Sequence, residues 1–272
     1  MRSDRCFGSG KSAKSLAIAA AATLLFASAA IVTTSATGHA EMLAKGPTCS
    51  APASLLRLRR PLLHVAARLA DGGPLKIVAF GSSSTLGFGA SAPEATYPAR
   101  LQSELRRRHP KNPITVVNRG VNGNETREMM LRFEMDVLAE KPDLVIWQAG
   151  TNTLLNGRDM WPVFLDVRAG IRRLRAQGAD VLLMNPQYSP RVLARPDHAA
   201  MNDLVEVIGR ELDVDVFDRF SIMRDWAEAQ RYPMDTFITA DGLHMNDWAY
   251  DCIANLLADT LAEARGSDIA KN

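Results

Sequence analysis

The chain has 272 residues, of which 47% are hydrophobic and 23% charged, and a formal net charge of +2. That length suits one domain with appendages, or at most two small domains, and that composition gives no sign of disorder or of a repeat array. Residues 1–40 carry Arg2, Arg5, Lys11 and Lys14 against Asp4, which leaves the remainder at −1. A nearly neutral domain has no field to hold nucleic acid or anionic lipid, so the expected partner is a neutral or weakly charged small molecule or glycan.

At the N-terminus, basic residues precede an apolar run from Leu16 to Val32, followed by small polar residues and Gly38-His39-Ala40. This pattern predicts a signal peptide over residues 1–40, cleaved near Ala40. The alternative is an uncleaved anchor, because the run is at the short edge of what spans a bilayer. Only then would the chain touch a membrane; either way the rest lies outside the cytoplasm, in the periplasm or beyond the cell. Residues 41–72 form an N-terminal extension. Within it, 55–70 are apolar on one side and basic on the other, interrupted by Pro61. A helix packed on the domain is the expectation and a membrane-surface helix the alternative. Cys6 falls in the signal, leaving Cys49 and Cys252. These either form a disulfide from the extension to the last helix or remain two buried thiols.

Asp71-Gly72-Gly73-Pro74 is a break, and the main domain follows over 73–266. Strands are predicted at Leu75–Phe80, Ile114–Val117, Leu144–Gln148, Val181–Met184 and Val214–Phe217. Helices are predicted at Tyr97–Arg108, Glu125–Leu138, Trp161–Ala176, Asp197–Leu212 and Asp247–Ala264, the last two capped by Asp197 and Asn246. Short apolar strands alternating with helices predict a five-stranded parallel sheet in a three-layer α/β/α sandwich of the flavodoxin-like kind. Ligands in such sheets bind beyond the carboxyl ends of the strands.

The segments at those ends are FGSSSTLGFG (80–89), NRGVNGN (118–124) and AGTNT (149–153), with DGLH (241–244) before the last helix. Each alone is an ordinary turn. In their joint order and spacing they resemble the SGNH, or GDSL, hydrolase family over residues 75–262. The family's Gly-Asp-Ser is matched by Gly81-Ser82-Ser83, its block-two glycine by Gly123, its Gly-x-Asn-Asp by Gly150-Thr151-Asn152-Thr153, and its Asp-x-x-His by Asp241 and His244. The resemblance implies a serine ester hydrolase with Ser83 as nucleophile, His244 as base and Asp241 as its orienter. It also implies an oxyanion hole from the Ser83 and Gly123 backbone N–H groups and the Asn152 amide. Ser82 and Thr153 stand where the family has Asp, and the family pattern makes both supports of their loops.

Elementary chemistry agrees with those roles. A serine hydroxyl needs an adjacent base, Asp241 is close enough in sequence to hold the imidazole, glycine lets a backbone approach a substrate, and an Asn amide donates without adding charge. No cofactor is expected, and no metal cluster of convincing spacing is present. Gly10-Lys11-Ser12 lacks the first glycine of a phosphate loop, and the Asn124-Glu125-Thr126 sequon is read as chance. Phe88, Tyr188 and Met245 are the expected apolar wall of the substrate site, against a reading as core residues. The preferred substrate is an ester with a short acyl chain such as acetyl. Acyl transfer by the same residues and a non-catalytic glycan-binding module are the alternatives.

Overall fold

The computed structural model describes residues 47–263. The predicted signal segment, Cys6 and Ala264 lie outside these residues. Helix α1 (Leu63–Asp71) leads into β1 (Leu75–Gly81), the one-turn helix α2 (Ser83–Leu86), α3 (Tyr97–Arg108) and β2 (Ile114–Gly120). Then come α4 (Thr126–Leu131), β3 (Leu144–Gln148), the short α5 (Thr151–Leu155), α6 (Trp161–Ala176) and β4 (Asp180–Met184). The described residues end with α7 (His198–Glu211), β5 (Asp215–Phe217), α8 (Arg219–Glu228) and α9 (Asp247–Glu263).

All strand pairs are parallel, in the order β2-β1-β3-β4-β5. This is the doubly wound α/β/α arrangement expected from the sequence. The order reverses between β1 and β3, and that switch point opens a crevice beyond the strands' carboxyl ends.

Alternation along the strands builds a core on each face. Ile77, Ala79, Ile146, Leu182 and Met184 face α1, α3, α8 and α9. Val78, Phe80, Val145, Trp147 and Leu183 face α4, α6 and α7. At ~25 cal/mol per Å2 of apolar surface removed from water, these two layers dominate stability.

Several local expectations change. The helix expected over 125–138 ends at Leu131; a single turn (Phe133–Asp136) and a 3-10 turn (Leu138–Glu140) follow. The break falls at Arg132, whose guanidinium reaches the carbonyls of Gly81 and Arg119 and the side chain of Asn124. Asp197 precedes α7 but its side chain makes no capping hydrogen bond. Asn246 does cap α9, accepting from the Ala249 N–H. Helix α8, unassigned from the sequence, follows β5 directly.

Residues 47–72 belong to the same compact unit as the sheet. The amphipathic segment is not continuous: helix persists only at Ala53–Leu56 and in α1. Its apolar side, Leu62, Val65 and Leu69, is buried in the core. Three of its four arginines meet acids of the domain, Arg59 with Glu206, Arg60 with Asp213 and Arg68 with Asp143. The segment therefore packs on the domain. Cys49 and Cys252 are joined in a disulfide.

Candidate active site

The loop after β1 turns at once into α2. Ser82 follows the strand directly, and its carbonyl accepts from the Thr85 and Leu86 N–H groups. Ser83 is the first residue of the turn, and Gly87 closes it at φ +102°. That left-handed conformation is open to glycine at little cost. Gly120, ending β2, lies so close that a Cβ there would sit 2.0 Å from the Leu86 nitrogen. The turn is thus clamped from below.

Ser82, where the family's motif has Asp, is buried and donates its N–H and its hydroxyl to Gln148 Oε1 at 2.8 and 2.9 Å. The second departure, Thr153, is also buried, with its hydroxyl directed at Glu125. Both replacements therefore hold their loops through neutral hydroxyls.

The segment before α9 doubles back on itself. Ile238 and Met245 form an antiparallel bridge, and the Thr239 N–H donates to the His244 carbonyl. Asp241 Oδ1 accepts from the backbone N–H groups of Leu243 and His244 and from the Thr239 hydroxyl, at 2.8–2.9 Å. Asp241 Oδ2 lies 2.5 Å from His244 Nδ1. On the far side of the ring, Nε2 lies 2.8 Å from Ser83 Oγ. A carboxylate can only accept, so Nδ1 carries the proton; Nε2 is then free to accept from the Ser83 hydroxyl.

Burial alone would raise the Asp241 pKa. The hydrogen bonds from the His244 ring, the two backbone amides and Thr239 outweigh it and hold the carboxyl well below its usual range. An ionised Asp beside the imidazole stabilises a cation that forms there. The arrangement can move a proton from the serine hydroxyl to the ring.

Asn152, on α5 just beyond β3, donates one amide hydrogen to the Asn124 carbonyl at 2.9 Å. This ties the loop after β3 to the loop after β2. Gly123 sits in that second loop at φ +74°, exposed, with nothing within 4 Å of where a Cβ would stand. Phe88 is half exposed, and its ring lies beside the His244 imidazole, centroids 4.4 Å apart. It forms an apolar wall to the mouth of the site.

Two expected wall residues are displaced. Met245 is fully buried in the core. It pairs with Ile238, which lies in the same core cluster. Tyr188 turns toward α8, with its ring edge-on to Phe220 and its hydroxyl donating to Glu228 Oε1 at 3.1 Å. Gln148, Gln187 and Arg219, none of them given a role from the sequence, form a buried polar layer under the site. Gln148 left a signal as the polar end of an otherwise apolar strand, and Gln187 lies in the loop 186–190 after the fourth strand, which the sequence places at the site; Arg219 left none. Among the described residues no cluster of His, Cys, Asp and Glu suits a metal ion.

Comparison with known proteins gives the family. The pattern of the non-GDSL lipase-like family matches residues 48–266. The chain belongs to the non-GDSL lipase-like family. Ser82 in place of the motif's Asp is in keeping with that name. Among curated relatives of this family member, an acetylxylan esterase of Geobacillus stearothermophilus is 30% identical over 137 residues, 47% of this chain and 59% of that protein. An uncharacterized lipoprotein of Bacillus subtilis (strain 168), YqeF, is 26% identical over 187 residues, 58% of this chain and 76% of its own.

Two solved structures share the fold. A two-domain esterase active on acetylated mannans, crystallised with mannopentaose, superposes with a TM-score of 0.65 at 22% identity, covering 75% of this chain and 53% of that one. The acetylxylan esterase Axe2 from Geobacillus stearothermophilus gives 0.59 at 21% identity, covering 69% and 94%. The match thus spans about half of the two-domain esterase and under two thirds of the first curated relative.

Proposed function

We propose that the protein is an exported serine ester hydrolase that removes short acyl groups, acetyl foremost, from a glycan or small alcohol. The observation that carries this reading is the hydrogen-bonded chain from Ser83 Oγ through His244 to Asp241 at the carboxyl end of β1. Ser83 attacks the ester carbonyl while His244 Nε2 takes the hydroxyl proton. The resulting oxyanion is met by the Ser83 and Gly123 backbone N–H groups and by the second amide hydrogen of Asn152. A donor of this kind is worth roughly 3–4 kcal/mol of transition-state stabilisation. His244 then gives its proton to the departing alcohol, leaving an acyl-serine. Water, deprotonated by His244, hydrolyses it and restores the hydroxyl.

The acetyl preference is supported by two similar proteins, an acetylxylan esterase and an esterase active on acetylated mannans, and by the Phe88 ring beside the base. Export is supported by the Leu16–Val32 run, by the lipoprotein relative, and by the Cys49–Cys252 disulfide, which suits an oxidising compartment.

The test compares the full chain with Ser83→Ala on p-nitrophenyl acetate, butyrate and octanoate. The wild type should hydrolyse acetate fastest, and kcat in the variant should fall at least about 10^4-fold. Equal background release by both proteins would overturn the reading.

A further inference from the structure

Arg219 is fully buried at the start of α8, and among the described residues it forms no ion pair. Its guanidinium donates only to neutral oxygens. Nε and Nη2 reach the Asn185 carbonyl at 3.2 and 2.9 Å, Nη1 reaches Ser84 Oγ at 3.1 Å, and Nη2 reaches Gln187 Oε1 at 3.0 Å. Burial pulls its pKa down to about 10, so it remains a cation at neutral pH. A buried charge without a counter-ion costs several kcal/mol relative to water, so its retention asks for a return.

The contacts show where that return lies. Ser84 is the residue after the serine. Gln187, itself buried, uses its amide to donate to the Leu243 carbonyl at 3.2 Å, and Leu243 is the residue before the histidine. The planar guanidinium can hold several acceptors at fixed angles, which an ammonium cannot. Its fork therefore spans from one side of the Ser83–His244 hydrogen bond to the other, beneath two segments that lie 161 residues apart in sequence.

We propose that Arg219 and Gln187 form a positioning brace that sets the distance between Ser83 Oγ and His244 Nε2, one arm acting through Ser84 and the other through Leu243. The brace touches neither substrate nor reacting atoms. It rests on the serine hydrolase reading above, and it acts on how often the serine and imidazole stand in line. A misplacement of about 1 Å in such a pair can cost on the order of 100-fold in rate.

The test uses Ser84→Ala, Gln187→Leu, the double variant of these, and Arg219→Lys, in the full chain. A p-nitrophenyl alkylphosphonate, from which a reactive serine displaces one p-nitrophenolate, counts competent sites. Activity on p-nitrophenyl acetate is then expressed per labelled site. Each single variant should lose about 10- to 100-fold in kcat per site, with KM within about twofold of wild type, as expected when ground-state binding is untouched. The double variant should lose less than the product of the two singles, because both arms act through one guanidinium. Ser84→Ala, which removes a single hydroxyl, keeps the test available where the larger changes fail to fold. Variants with fewer labelled sites but wild-type kcat per site would reduce the brace to a stability element and overturn the proposal. A wild type that neither labels nor hydrolyses would overturn the hydrolase reading, and the brace with it.

Discussion

In the proposed mechanism Asp241 sets the chemistry of its neighbour by being ionised. Its native pKa lies below its unfolded value of about 3.9. A depressed native value means the group stabilises the fold above about pH 4 and loses that contribution as pH falls through the native value. Asp241→Asn should therefore flatten the fall of the urea midpoint between about pH 5 and pH 2; parallel curves for the two proteins would show that the bonds to Asp241 are energetically idle. In the same variant kcat should drop about 10^3- to 10^4-fold, because an amide no longer fixes the imidazole tautomer. The Asp241–His244 pair is legible in the sequence because it is local, three residues apart on one turn. Met245 misleads for a related reason: adjacency to His244 in sequence does not put it at the site, because its side chain is buried in the core. Arg219 is illegible because its partners, Ser84 and Gln187, lie 135 and 32 residues away. Only the fold brings them together.

The five strands and the helices α3 and α6 are legible because each is a run of one periodicity bounded by breaks. Elements shaped by side chains from elsewhere are less so, and Arg132 ending α4 to serve the loops after β1 and β2 is the clearest case. Helix α6 shows how packing can reverse a local preference. Gly170 sits mid-helix, where alanine is intrinsically better by about 1 kcal/mol. Here, however, a Cβ would stand 2.4 Å from Cζ3 of Trp147, a fully buried ring of β3. The helix approaches the sheet this closely only because no side chain intervenes. Overpacking of such a site costs about 1–3 kcal/mol, so the clash should win. Gly170→Ala should lower the denaturation midpoint, and an unchanged or higher midpoint would mean the Trp147 ring can move aside.

Across the whole molecule, one covalent link closes the long way round. Cys49 and Cys252 are 203 residues apart and bring the start of the described chain onto α9. Hydrogen bonds flank the link: the Trp226 indole donates to the Ser50 carbonyl, the Thr48 N–H to the Tyr232 hydroxyl, and the Trp248 indole to the Pro47 carbonyl. These contacts should keep the extension in place without the bond, so its loss should tell mainly on the unfolded ensemble, which gains the freedom of a loop spanning most of the domain. The expected cost is about 2–5 kcal/mol. Cys49→Ser with Cys252→Ala avoids placing a hydroxyl at Cys252, which is buried among apolar side chains. The urea midpoint of this variant should fall, with kcat per labelled site unchanged in the folded protein, since the hydrogen bonds that join Ser83, His244 and Asp241 involve neither cysteine. Dithiothreitol should bring the wild type down to the variant's midpoint and leave the variant where it is. A wild type indifferent to dithiothreitol under denaturing conditions would mean that the bond contributes nothing and that the flanking hydrogen bonds alone hold the extension.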